Sequence, residues 1–271
     1  MDGMKKYILD SMEWSFSSVN AYDTCPKMFK MTYIDASPKW ENAFAQFGSL
    51  CHKVLEEFYR GEITMFDTLP RYLFLYDEYV KQKFPKTRNG TMEASYRDSG
   101  EKYFEEFEND FAEYEVLGVE EEFHIKIENR NFVGFVDLIL RDKDGNIVIV
   151  DHKSKSKFKS EEEKKHYARQ LYLYSLYVKE KFGEYPKLLF FNMFRTQQIE
   201  RIEFNKEGCD EAKKWFLDTI EKIYQDEDFK ENPSKFFCDN ICSIRPSCEE
   251  SYYYRGEKDD SWPQTYRRSK A

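Results

Sequence analysis

A chain of 271 residues with 42 Lys and Arg against 51 Asp and Glu carries a net charge near −9. That acidic balance argues against a protein that coats nucleic acid non-specifically, while leaving room for local basic patches. The 24 Phe and 20 Tyr exclude wholesale disorder, no stretch approaches 18 consecutive apolar residues, and the first 20 residues lack the apolar segment of a secretory signal; the expectation is a soluble cytoplasmic protein.

With no repeats, low-complexity tracts or long Pro/Gly/Ser linker, the chain reads as one domain over 1–271. A helical part covers 1–115, an α/β core 116–230 and a Cys-rich tail 231–271. Ser15 to Ser18 are capping residues that open a short helix carrying Tyr22 and Cys25. Phe44, Phe47, Cys51, Val54 and Phe58 recur at helical spacing, so a helix is predicted over 43–60 with Gly61 at its stop. Residues 65–115 are charged and aromatic at helical spacing, interrupted from Pro85 to Gly100.

The period then changes. Residues 131–140 (NFVGFVDLIL) and 147–153 (IVIVDHK) are β-branched and aromatic runs joined by a turn sequence, a hairpin signal. Ser160 to Glu163 form a capping box that opens a helix running to Gly183. Residues 187–194 read as a buried strand, 198–204 as a half-exposed one and 207–226 as an amphipathic helix. Helices packed on a central mixed sheet give an α/β fold.

The hairpin brings chemistry with it. A three-residue loop, Lys143 to Gly145, pairs position 142 with 146 and therefore Asp137 with Asp151. Asp137, Asp151 and Lys153 then share one face, because strand side chains alternate. A two-residue Asp144–Gly145 turn would put the carboxylates on opposite faces, so the reading depends on register. Two carboxylates opposite each other repel unless a cation lies between them. Hard oxygen ligands suit Mg²⁺ or Mn²⁺, which can hold a phosphodiester and activate water, and Lys153 adds a further positive charge. The same residues also suit a surface hairpin with a structural Asp–Lys pair, and spacing does not decide between the two. His52 and Gln170 are further oddities: a helical imidazole beside an apolar stripe, and an amide on the stripe Tyr167, Leu171, Tyr174 where it needs a partner.

Two other features stand out. Lys153, Lys155, Lys157, Lys159, Lys164 and Lys165 form a basic run, the pattern of a solvated face or of a local patch. Six cysteines occur, three of them crowded at 238, 242 and 248; in a cytosolic chain this favours metal or cluster ligation over disulfides. Cys51 and Cys209 fall inside amphipathic helices and read as small apolar fillers.

Taken together the motifs resemble the PD-(D/E)xK nuclease superfamily, in its RecB-like branch of CRISPR-associated and AddB-type exonucleases with an iron–sulfur cluster. The pieces appear in that family's order: SSVNAYDTCPKMF from Ser17, GSLCH ending at His52, GFVD ending at Asp137, VDHK ending at Lys153, and QLYLY from Gln170 to Tyr174. The resemblance implies a restriction-endonuclease-like fold and metal-dependent DNA hydrolysis. It implies Mg²⁺ or Mn²⁺ held by His52, Asp137, Asp151 and the backbone carbonyl of His152. Lys153 matches the catalytic lysine, and Gln170 and Tyr174 match the positioning motif on the following helix. Glu121 or Glu122 is a further acidic candidate. His152 departs from the pattern, its position being usually apolar or aromatic.

The same resemblance implies a 4Fe-4S cluster on Cys25, Cys238, Cys242 and Cys248, with structural Zn²⁺ as the alternative on the same thiolates. The C-x3-C-x5-C spacing is one residue longer at its first gap than the commonest form. The implied activity is an exonuclease on single-stranded DNA ends in recombination, repair or phage DNA processing, the last in the host cytoplasm. The rival reading is a catalytically inactive DNA-end or partner-binding module of the same fold. No phosphate-binding GxxxxGK[ST] loop occurs, so unwinding would have to come from a helicase or recombination partner.

Overall fold

The computed structural model of the chain describes residues 3–87 and 90–251; the part of the Cys-rich tail over 252–271 lies outside the described residues. Helix α1 (Gly3–Ser11) comes first and was not anticipated. The Ser15 and Ser18 side chains then cap each other's amides at 3.0 and 3.1 Å, opening α2 (Phe16–Thr24). Helix α3 (Pro26–Phe29) follows and continues as one π turn over Lys30–Ile34.

Helix α4 (Ala43–Tyr59) ends at Gly61, whose φ of 72° only glycine adopts freely. Its buried stripe of Phe47, Leu50, Cys51, Val54 and Leu55 packs on α5 (Thr68–Tyr79) and α6 (Glu93–Glu105). Between those two helices lies a small ribbon, β1 (Lys86–Thr87) and β2 (Gly90–Thr91), so α6 starts well before the expected end of the Pro85–Gly100 interruption.

The main sheet is built from β3 (Glu115–Ile127), β4 (Arg130–Arg141), β5 (Ile147–Lys153), β6 (Leu188–Met193) and β7 (Gln198–Glu203), in that spatial order. Strands β5 and β6 are parallel and every other neighbouring pair is antiparallel. Helix α7 (Glu161–Phe182) is the crossover that a parallel pair requires. Only half of its expected capping box forms. The Ser160 hydroxyl accepts from the Glu163 amide at 3.2 Å, but the Glu163 carboxylate turns to the Lys155 ammonium and the Lys159 amide.

Helices α7 and α8 (Lys206–Gln225), with α2, cover one sheet face through Phe123, Phe132, Val136, Ile149 and Leu189. Leu138, Leu140, Val148, Val150 and Phe190 fill the other face beneath Phe111 and Tyr59. Cys51 and Cys209 are both buried, in keeping with a filler role.

The Cys-rich segment, with α9 (Lys235–Asn240), folds back onto the chain's first third. The buried Arg245 guanidinium donates to the carbonyls of Trp40 (3.1 Å), Glu41 (3.1 Å) and Cys242 (2.9 Å). Asn42 does two things at once: its Oδ1 caps α4 by accepting from the Ala45 amide at 2.9 Å, and its Nδ2 donates to the Ile241 carbonyl at 2.8 Å.

Candidate active site

The hairpin loop has three residues. The Gly145 amide donates to the Asp142 carbonyl (3.0 Å) and the Asp142 amide to the Asn146 carbonyl (2.9 Å), and Gly145 takes φ 87°. Pairing therefore runs Arg141 with Ile147 and Leu138 with Val150. One step beyond that last pair, Asp137 and Asp151 stand opposite each other where the ladder stops. β4 and β5 fork at this point, and the bond that would continue the ladder is replaced by a side chain: Asp137 Oδ2 accepts from the His152 amide at 2.6 Å. On the far arm of the fork, Trp14 bridges to Phe132 and takes up the free edge of β4.

The neighbouring strand breaks its alternation at the same level. Glu120 adopts φ 46°, a left-handed conformation that costs a non-glycine residue about 1–3 kcal/mol. Around it the strand faces reverse: Val136 packs under α7 whereas Leu138, two residues on, packs in the opposite layer. The twist delivers Glu120 to the fork, a position that simple alternation does not assign. Glu121 and Glu122, the acidic candidates named from the sequence, are engaged elsewhere. Glu121 binds Tyr177 and Lys181, and Glu122 binds His124.

Helix α4 brings His52 to the same place. Its Nδ1 lies 3.4 Å from Glu120 Oε1 and 3.7 Å from Asp137 Oδ2, while Nε2 is 2.9 Å from the His152 carbonyl. His52, Glu120 and Asp137 offer ligand atoms within 4.8 Å of one another, the only such trio of His, Cys, Asp and Glu among the described residues. An imidazole nitrogen and two carboxylates are a donor set for a hard divalent cation. The His152 carbonyl, bound by the other ring nitrogen, fixes the imidazole's orientation as backbone acceptors do behind ligating histidines.

The electrostatics fit a cation. Burial lifts the Asp137 carboxyl above its ordinary range, and Asp151 and Glu120 add to the rise against the pull of His52. Burial alone would lower the His52 imidazolium, but Asp137 and Glu120 outweigh it and the net shift is upward. Three acidic side chains, one imidazole and one lysine thus share a largely buried corner.

Asp151 stands apart from the trio. It is 3% exposed, and its Oδ2 sits 2.7 Å from Lys153 Nζ. Lys153 also donates to Gln170 Oε1 at 3.0 Å, and Gln170 Nε2 contacts the Tyr174 hydroxyl at 3.0 Å. The half-buried amide on α7 thus has a partner for each end. Gly134 lets Tyr174 approach this closely, since a Cβ there would lie 2.7 Å from the tyrosine ring and 2.5 Å from Phe123. The His152 side chain points to the opposite face, where its Nδ1 lies 3.0 Å from Asn192 Nδ2; burial, with His52 and Lys153 nearby, pushes its pKa well down.

An open cleft of about 510 Å³ leads to the trio and is walled by Ser49, His52, Lys53, Glu120 and Ser154 among others. A second, mostly apolar pocket lies in the Cys-rich segment and is lined by Cys25, Cys238, Cys242 and Cys248 together. Burial raises the Cys242 thiol to about 12, with the other three cysteines adding to the rise.

The sequence matches the family model "PD-(D/E)XK nuclease superfamily" over residues 13–249. The chain belongs to that superfamily. Among solved structures, one similar chain is a crystal structure from Eubacterium rectale named "Putative exonuclease". It shares 13% identity with a TM-score of 0.53, over 96% of this chain and 92% of that one, a likeness of fold. No curated protein shows significant sequence similarity. Among the described residues no helix is long and apolar enough to cross a membrane.

Proposed function

We propose that this chain is a divalent-metal-dependent deoxyribonuclease that hydrolyses single-stranded DNA from its ends. The observation that carries the reading is the meeting of His52, Glu120 and Asp137 beside the chain Asp151–Lys153–Gln170–Tyr174. His52, Glu120 and Asp137 hold Mg²⁺ or Mn²⁺, with Asp151 as the next donor and the His152 carbonyl holding the far nitrogen of the imidazole. When bound, the ion supplies charge for the phosphodiester and lowers the pKa of water. Lys153, held by Asp151 and Gln170, orients the attacking water and faces the negative charge that develops on the phosphoryl oxygens. Tyr174 and Gln170 keep that ammonium from swinging into solvent.

The Cys-rich pocket takes a 4Fe-4S cluster on Cys25, Cys238, Cys242 and Cys248. Four thiols lining one pocket support it. The cluster fastens the two ends of the catalytic unit. A helicase or recombination partner would supply strand separation, and the cellular setting is DNA repair, recombination or phage DNA processing.

The test is degradation of 5′- and 3′-labelled single-stranded and duplex DNA with Mg²⁺ or Mn²⁺, beside an Asp151→Ala control. Ladders that shorten progressively from one end, absent in the control and in EDTA, are expected. Undiminished cleavage by Asp151→Ala would overturn the reading.

A further inference from the structure

The basic residues that follow Lys153, from the β5–α7 segment into the first turns of α7, take no part in the site described above, although they start at its edge. From Lys153 to Arg169 there are seven cations against three carboxylates, in a chain whose net charge is −9. The six lysines divide into two sets, and the seventh cation, Arg169, lies over the Trp215 ring. Lys153, Lys155 and Lys164 are neutralised within the fold by Asp151, Glu163 and Glu200. Lys157, Lys159 and Lys165 are exposed and have no carboxylate within 4 Å among the described residues, whereas most of the other basic side chains are paired. Glu163 and Glu162 act on Lys159 and Lys165 only through space and not as direct partners, so these ammoniums remain open to an external anion such as a phosphate.

Their position gives the use. Ser154 is a wall of the cleft, and the segment that carries the free lysines continues from it out of the site. Gly48 brings the α4 backbone against Ser154 on the opposite wall, where an added Cβ would lie 3.5 Å from the serine Oγ. The open cleft of about 510 Å³ has room for a nucleotide or two of one strand. The six steps from Lys153 to Lys159 reach at most about 20 Å, a span of several nucleotides. Tyr167 stiffens the start of the segment by carrying Lys155 over its ring at 4.6 Å.

We propose that Lys157, Lys159 and Lys165 form a phosphate track on which a single strand of DNA lies as it passes the cleft. The assignment rests on the nuclease reading for its direction, since the track leads to the metal trio, but its binding is measurable without turnover. A strand held this way is gripped by its backbone and not read by its bases, so binding is sequence-tolerant and salt-sensitive.

The experiment measures fluorescence anisotropy of a labelled oligothymidylate in EDTA across a salt series, for the full chain. Compared with wild type, the triple variant Lys157→Ala/Lys159→Ala/Lys165→Ala is expected to bind at least about tenfold more weakly at low salt. Its slope of log affinity against log salt should be shallower by about 2, the loss of three single-strand phosphate contacts. A control triple on the outer face of α8, Lys206→Ala/Lys214→Ala/Lys222→Ala, removes the same charge and should leave the slope unchanged. Equal slopes for the two triples, tighter binding of duplex than of single strand, or no binding by wild type would each overturn the track. Hydrolysis of a small activated phosphodiester with Mn²⁺ separates the two readings: wild type and the track variant should be equally active on it. A wild-type protein that binds the strand with the predicted slope but hydrolyses nothing would sink the nuclease reading and leave the track standing.

Discussion

His52 Nδ1 lies 3.7 Å from Asp137 Oδ2, an imidazole from the helical lobe set against a carboxylate from the sheet. The contact crosses the seam between two separately packed cores, one around α4 to α6 and one on the sheet. Metal held here would tie those cores together, so its effects should be visible in stability as well as in turnover.

Glu120→Gln keeps the shape of the site and removes one anionic donor. Its apparent Mn²⁺ dissociation constant should rise by about 10–100-fold, the scale of losing a partner that orients or charges a metal site. Isothermal titration gives the number directly. An unchanged constant would remove Glu120 from the donor set, while Glu121→Gln, which faces Tyr177 and Lys181, should have no such effect.

Lys153→Ala should leave Mn²⁺ binding largely intact and lower turnover by at least about 10²-fold, the loss of a charge aimed at the transition state. It also strands a buried carboxylate on Asp151, and breaking such a pair costs about 3–5 kcal/mol. Melting in EDTA should show that loss, and saturating Mn²⁺ should restore part of it by supplying the missing positive charge. Identical melting of variant and wild type in EDTA would refute the argument.

Gly134→Ala tests the packing beneath the catalytic chain. The added methyl meets Phe123 and Tyr174 at under 3 Å, and overpacking of this kind costs about 1–3 kcal/mol. Because Tyr174 contacts Gln170, turnover should fall further than Mn²⁺ affinity does. A variant with wild-type melting and turnover would show that Tyr174 moves aside without consequence.

For the cysteines, anaerobically purified protein should be brown and carry about four irons per chain, the stoichiometry of a Cys₄ cluster. Cys238→Ala, Cys242→Ala or Cys248→Ala should bleach it, whereas Cys51→Ala or Cys209→Ala should not. One zinc and no colour would transfer the four thiols to the structural-metal reading.

What could be read in advance followed local rules. The hairpin register came from Gly145 and its loop length, so Asp137 and Asp151 were placed on one level, and Gln170 was conspicuous because an amide on an apolar stripe needs partners. Strand β3 escaped because Val119 to Glu122 do not alternate: a left-handed residue sits at Glu120 and the register shifts between Val116 and Gly118. Glu120, the member of the trio that was missed, is the residue at that break. A run of glutamates inside an otherwise half-apolar segment was the signal, and choosing among the three required the backbone twist. The approach of His52 to Asp137 depends on how α4 lies against the sheet, which no local pattern encodes.

The Asn42 side chain, by joining the cap of α4 to the Ile241 carbonyl, spans 199 residues. During synthesis at roughly 5–20 residues per second, α4 therefore waits about 10–40 s for the segment that anchors its first turn. Through that interval the cap rests on the local bond from the Ala45 amide to Asn42 Oδ1, and the long-range half of the joint is unmade. The last part of the chain to be made thus completes the anchoring of a helix laid down in its first third.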